Sequence, residues 1–302
     1  MTYRDKITVQ DDVQPKSTVS GAVEVSPRPG NARLLDETDM MPVTLVTGSP
    51  LSPFVLVMDH AGRAIPRRLG DLGLSDTDRA RHIAWDIGIA GTAAILGRIL
   101  DSAQVFQSYS RLVIDCNRRP GHASSMPPRS DFTEVPGNQD LVPADREARE
   151  REIFAPYQAC IAALLDERLA AGQDTVLVAL HSFTPRLRPD PANRPTSGSE
   201  SGDRPWHAGV LYNHDPRFSV ILRDLLQAEG DLVVGDNEPY ELSDLDDYTV
   251  PVHGEQRGLP HVEIEIRQDL IGDPEGEAAW AARLGRLLPA AWARYKAAYP
   301  CP

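Results

Sequence analysis

Two runs of this chain end on a histidine in the same way. Val176-Leu177-Val178-Ala179-Leu180 leads into His181-Ser182, and Phe54-Val55-Leu56-Val57-Met58 leads into Asp59-His60-Ala61-Gly62. Both runs are too apolar for one face to meet water, so they read as fully buried strands. A side chain where such a strand opens into a loop sits where open α/β sheets gather their ligands. Imidazole is the commonest metal-binding side chain, and His60 and His181 on one rim read as two ligands of a single metal ion. A carboxylate near a metal serves as a general base. The strand-like Val262-Glu263-Ile264-Glu265-Ile266, followed by Arg267-Gln268-Asp269, supplies candidates. Its alternation puts the two glutamates on one face, and a solvated face accounts for at least one of them. The densest remaining cluster is Ser110-Arg111-Leu112-Val113-Ile114-Asp115-Cys116-Asn117-Arg118-Arg119. Arginine holds a carboxylate bidentately and asparagine adds a neutral donor, whereas Arg119 reads as a solvated loop charge.

Alternating strand and helix signals position these groups. After the strand at 54–58, residues 78–100 carry Ile83, Ile87, Ala90, Ala94 and Ile95 at helical spacing. Ala103–Phe106 and Arg111–Asp115 read as strands, and a Pro-rich loop runs from 118 to 143. Residues 144–171 form an amphipathic helix that stops at Gly172. The strand ending on His181 follows, then a long loop at 184–205 rich in Pro, Arg, Asp, Ser and Gly. Ala208–Tyr212 (strand), Pro216–Glu229 (helix), Leu232–Val234 (strand), 262–266 (strand) and 276–298 (helix) complete the pattern. Such alternation over one core means α/β with a largely parallel sheet. Residues 1–42 have no sustained period and read as a flexible N-terminal tail ahead of a single domain at 43–302.

Composition narrows the partners. With 302 residues, 41% hydrophobic and 25% charged, the chain is an ordinary globule with enough length for a proper core. No apolar run approaches the ~20 residues of a membrane span, and the N-terminus lacks a secretory signal's apolar core. Three cysteines without metal-type spacing point to a reducing cytoplasm. A net charge of −13 argues against nucleic acid or an anionic membrane as partner, but leaves room for a small anionic substrate in a locally basic site. Nothing in the pattern reports on oligomeric state.

Taken in order, His60-Ala61-Gly62 with Ile65-Pro66, Ser110-Arg111 with Asp115-Cys116-Asn117-Arg118, Leu180-His181-Ser182, Asn237-Glu238-Pro239-Tyr240 and Glu265-Ile266-Arg267-Gln268-Asp269-Leu270 resemble the N-formylglutamate amidohydrolase family over roughly residues 50 to 290. The resemblance implies a single-domain, three-layer α/β/α fold like that of the zinc carboxypeptidases. It also implies that His181 is a metal ligand, that Asn117 and Arg118 grip the substrate carboxylate, and that Glu265 is the base. One departure stands out, because the carboxypeptidase pattern places a glutamate ligand three residues after the first histidine and this chain has Arg63. A zinc site needs about three protein ligands and one open position. The resemblance includes an acidic residue near 86, so Asp86 is the expected third ligand, with His82 as its rival four residues earlier on the same helix face.

The chemistry so implied is metal-dependent hydrolysis of the amide of N-formylglutamate or a related N-acyl acidic amino acid, a step of amino-acid catabolism. The expected cofactor is a divalent metal, zinc by resemblance, although mixed His/carboxylate sites also accept iron, cobalt or manganese. Arg111 is expected to stabilise the oxyanion or a side-chain carboxylate. Arg63, Tyr240 and Arg267 are expected near the substrate, with Tyr240 and His253 as lid residues. A non-catalytic binding protein for an acidic amino acid derivative, or a zinc exopeptidase or deacylase of other specificity, are the alternatives.

Overall fold

The computed structural model describes residues 33–188 and 203–300. Its strands are β1 (Val43–Val46), β2 (Phe54–Met58), β3 (Ala103–Gln107), β4 (Arg129–Ser130), β5 (Thr133–Glu134), β6 (Val176–Phe183), β7 (Ala208–Leu211), β8 (Val234–Asp236) and β9 (His261–Arg267). Its helices are α1 (Asp76–Arg79), α2 (Ile89–Leu100), α3 (Pro143–Arg149), α4 (Ala155–Ala170), α5 (Arg217–Ala228) and α6 (Pro274–Ala298). Seven strands form one sheet in the order β1-β3-β2-β6-β9-β7-β8, and β4 and β5 form a small separate ladder. β3, β2, β6 and β9 run parallel to one another, as do β7 and β8. β1 is antiparallel to β3, and β7 to β9. Helices α2, α5 and α6 cover one face and α4 the other, each over its own apolar cluster. This is the expected three-layer α/β/α fold with a mixed, largely parallel sheet. None of the described helices is long and apolar enough to cross a membrane.

Residue parity decides which side chains reach the site. In β6, Val176, Val178 and Leu180 pack under α2, α5 and α6, whereas Leu177 and Ala179 face α4. His181 therefore points to the α4 side. In β9, Val262, Ile264 and Ile266 take the first face, which leaves Glu263 and Glu265 on the second. The register then sets His181 beside Glu265, and Glu265 beside Gly209. Both glutamates are buried, so the solvated face expected for at least one of them does not exist.

Several elements differ from expectation. The helix expected over 78–100 is broken: α1 ends at Arg79 and α2 starts at Ile89, with Gly88 between them at φ +81°. A Cβ at Gly88 would lie 1.9 Å from the Ile271 carbonyl oxygen, so close packing against the end of β9 requires glycine there. Residues 111–113 form a turn and 114–115 irregular backbone rather than a strand, and the stretch looks apolar because Leu112, Val113 and Ile114 are buried beneath the site. β1 carries no clear sequence signal because it is a half-exposed edge strand. Within the stretch read as a tail, Leu34 is buried and the Leu34 and Leu35 amides donate to Glu152. Residues 1–32 of that stretch, and 189–202 of the long loop, lie outside the described residues.

Candidate metal centre and active-site cavity

Three buried side chains converge at the C-terminal ends of β2 and β6. His60 lies two residues past the end of β2, and His181 lies within β6 near its end. Asp86 precedes α2 and is fastened by its own amide to the His60 carbonyl at 2.9 Å. Its Oδ2 also accepts from the Ser182 amide at 3.1 Å. His60 Nδ1 and His181 Nδ1 are 3.1 Å apart; Asp86 Oδ2 lies 3.1 Å from the latter and 3.5 Å from the former. Tetrahedral zinc with bonds of about 2.0–2.1 Å needs donor–donor separations of roughly 3.3 Å, which these edges match. The His/Asp/His group thus fits a metal ion.

The outer contacts of the two rings make the same point. His60 Nε2 is 2.7 Å from Asp115 Oδ1, and His181 Nε2 is 3.3 Å from Asp59 Oδ2. On His60 the Asp115 carboxylate holds the proton at Nε2 and turns the Nδ1 lone pair inward; Asp59 lies beside His181 Nε2 at ion-pair distance, outside hydrogen-bond geometry. Two lone pairs facing each other at 3.1 Å repel unless a proton or a cation lies between them. The carboxylates are themselves anchored: Asp115 by Arg111 and the Asn117 amide, Asp59 by the Thr249 hydroxyl at 2.7 Å. Burial disfavours the charged His181 ring, but Glu263, Asp59 and Asp86 outweigh it and hold its pKa well above the ordinary value. His60 is raised in the same sense by Asp115 and Asp86, against burial and Arg111. For Asp115, Arg111 and His60 overcome burial and hold the carboxyl well below its usual range.

A cavity of about 440 Å³ opens onto this group, with His60, His181, Glu263, Glu265, Arg111 and Arg118 in its wall. Glu263 and Glu265 are 4% and 6% exposed, and burial pushes the carboxyl of each up to about 8. Neither Oε2 has a hydrogen-bond partner among the described residues. Such carboxyls, aimed at a cavity with unused acceptors, are candidates for proton transfer.

The other expected site residues divide. Arg111 lines the cavity, held by Asp115, with its Nη1 3.6 Å from Asp86 Oδ1. Arg118 also lines it but is tied to Asp247 at 2.6 Å and to the Asp246 carbonyl. Asn117 spends its side-chain oxygen on the Tyr248 and Thr249 amides, so it straps the 243–249 loop in place. Tyr240 reaches the cavity because Gly209 admits the Glu238–Pro239 segment: a Cβ there would lie 2.0 Å from the Glu238 oxygen. Arg63 is exposed and stacks on Trp85, and Arg267 pairs with Asp269; neither is in the cavity wall. His82 is held apart near Asp131 and burial lowers it to about 4, so Asp86 joins the histidines in its stead. His253 is buried and bonded to Gln158 under the sheet, which rules it out as a lid residue. Glu263 stood beside Glu265 as a candidate, whereas Asp59 and Asp247 lie outside the sequence expectations. Asp59 had a signal, adjacency to His60; Asp247 had none.

The N-formylglutamate amidohydrolase family model matches residues 52–272. A gene product of Agrobacterium tumefaciens is 34% identical with a TM-score of 0.79, over 87% of this chain and 100% of that one. The N-formylglutamate amidohydrolase of Ralstonia eutropha is 17% identical with a TM-score of 0.59, over 84% of this chain and 98% of that one, a likeness of fold. No curated protein matches the sequence. The chain thus belongs to the N-formylglutamate amidohydrolase family.

Proposed function

We propose that the chain hydrolyses the amide bond of N-formylglutamate or a related N-acyl acidic amino acid, releasing the free amino acid in a metal-dependent reaction. The observation that carries this reading is the His60/Asp86/His181 group opening onto the same cavity as two buried glutamates with raised pKa values. A divalent cation on the three donors, zinc in the first instance, supplies Lewis acidity that polarises the scissile carbonyl and acidifies water. Glu265, beside His181 in register, takes the proton of the attacking water and passes it to the departing amine. Glu263, next to it on the same face, keeps its own proton, because two close buried carboxyls do not both ionise. Arg111 carries positive charge at the cavity wall, where it stabilises the oxyanion as the carbonyl becomes tetrahedral. Arg118 adds positive charge beside it, while Asn117 acts by holding the loop that carries Asp247 and Thr249. Asp59 and Asp115 orient the two imidazoles.

The test is release of glutamate and formate from N-formylglutamate by purified protein, with and without a chelator, together with metal analysis. The expected result is about one metal per chain and turnover that a chelator abolishes and added zinc restores. Metal-replete protein that leaves every N-acyl glutamate intact would overturn the reading.

A further inference from the structure

A second cavity of about 620 Å³ adjoins the first and shares Arg111, Arg118 and Tyr240 with it. Its wall adds Arg129, Arg188 and Arg204. Four of these five arginines are matched. Arg111 has Asp115, Arg118 has Asp247, Arg129 lies 3.4 Å from Glu134, and Arg188 lies 3.9 Å from Asp131. Arg204 has no carboxylate partner among the described residues. Its guanidinium lies over the Tyr240 ring at 4.7 Å and the Phe183 ring at 5.8 Å, and one N–H donates to the Tyr240 hydroxyl at 2.7 Å. Stacking of this kind fixes the plane of the group and leaves its remaining edge donors free for a planar anion.

The first cavity offers a substrate carboxylate little welcome. Apart from Arg111 and Arg118, both already paired, and the two histidines, its wall carries the carboxylates Glu241, Asp246 and Asp247, with Glu263 and Glu265 as neutral carboxyls. The second cavity, with five arginines against Asp115 and Asp131 in its wall, is the more basic of the two and attracts an anionic arm attached to an amide at the His60/Asp86/His181 group.

We propose that Arg204 is the residue that binds the side-chain carboxylate of the substrate, and that the second cavity is the subsite for this anionic arm. The proposal rests on the amidohydrolase reading for the position of the scissile bond. The subsite lies within the ~300–1,000 Å³ typical of ligand pockets, larger than a glutamate side chain requires. Ile83, Leu112, Phe132 and Leu187 give it apolar surface between the charges. The substrate class it fits is N-acyl amino acids with a carboxylate-ended arm of glutamate length or longer. Arg204 selects for that carboxylate and takes no part in the bond change.

The experiment compares zinc-loaded wild type with Arg204→Ala and Arg204→Lys in two measurements. Calorimetric titration with glutarate, a dicarboxylate with no bond to cleave, reads binding apart from turnover, and the difference between wild type and variant reads Arg204. Kinetics with N-formylglutamate and N-formylglutamine read selectivity. In Arg204→Ala, glutarate binding weakens and KM for N-formylglutamate rises, each by about tenfold or more. The kcat and the parameters for N-formylglutamine change little, and Arg204→Lys recovers part of the loss. Equal glutarate affinity in wild type and Arg204→Ala, no glutarate binding by wild type, or an equal loss for both formyl substrates overturns the proposal. Wild type that binds glutarate through Arg204 yet hydrolyses neither substrate sinks the amidohydrolase reading and keeps the anion subsite.

Discussion

Replacing Glu265 with glutamine separates a proton carrier from a structural side chain. Burial and, less so, Asp86 outweigh His181, Arg111 and Arg204 and push the carboxyl from an ordinary 4.5 up to about 8. Between those values the folded, metal-free chain keeps a proton that the unfolded chain releases. Stability therefore falls as pH rises through that window, and the cost of retaining Glu265 is about 3 kcal/mol at pH 7 and close to zero near pH 4. A neutral amide of the same shape escapes this cost. Metal-free Glu265→Gln is expected to be more stable than wild type by about 3 kcal/mol at pH 7, a rise in melting temperature of roughly 5 °C for a chain of this size. The gain should vanish toward pH 4. It should also shrink when a cation is bound, because nearby positive charge draws the carboxyl down. Turnover of the metal-loaded variant should fall by about 10²–10⁴. Scanning calorimetry of chelated protein across this pH range, run beside a glutamate-release assay, tests both arms. A variant less stable than wild type at pH 7, or one that keeps turnover within about tenfold, refutes the reasoning.

Asp115→Asn leaves His60 a neutral partner and should weaken zinc binding by about 10–100-fold in a competing-chelator titration, with the fold unchanged by circular dichroism. Arg63→Ala should alter KM by less than about twofold, since Arg63 stacks on Trp85 outside the cavity wall and such a contact is worth only about 0.5–1 kcal/mol. Gly209→Ala drives a methyl into the Glu238 carbonyl, so it should cost about 1–3 kcal/mol in a melting curve and raise KM by displacing Tyr240. Zinc loading near pH 6 should release at least one proton, measurable by titration calorimetry in buffers of different ionisation enthalpy.

The parts of the fold legible in the sequence are those whose pattern is local. β2 and β6 are continuous apolar runs buried on both faces, and β9 alternates because its two faces meet different surroundings. What stayed hidden depends on distant partners. Gly88 breaks the expected helix because the Ile271 carbonyl, far along the chain, leaves no room for a side chain. Leu112, Val113 and Ile114 look like a strand, but their burial comes from packing as a turn and irregular backbone under the site. Among candidate site residues, His60 and His181 were readable from strand ends, and Glu265 and Asp86 from family likeness. Arg118 looked like a free carboxylate clamp only because Asp247, which occupies it, is far away in sequence.

Charge accounting explains why so acidic a group can stay buried. Asp59, Asp86 and Asp115 carry three negative charges within contact of the two imidazoles, and each carboxyl is held below its ordinary pKa. Arg111 offsets one of them, while Arg118 is matched by Asp247. With neutral histidines the site would retain about two uncompensated charges, a burden that buried groups relieve by taking up protons or a cation. His60 and His181 are both raised above ordinary imidazole values, so protons on the rings meet part of that demand in the metal-free protein. A divalent ion would meet it fully while turning the same nitrogens into ligands, so its binding would displace protons. Glu263 and Glu265 enter this balance only when they ionise. Burial keeps them neutral at rest, and a carboxyl that ionises only when positive charge arrives beside it is suited to take a proton from water at that moment.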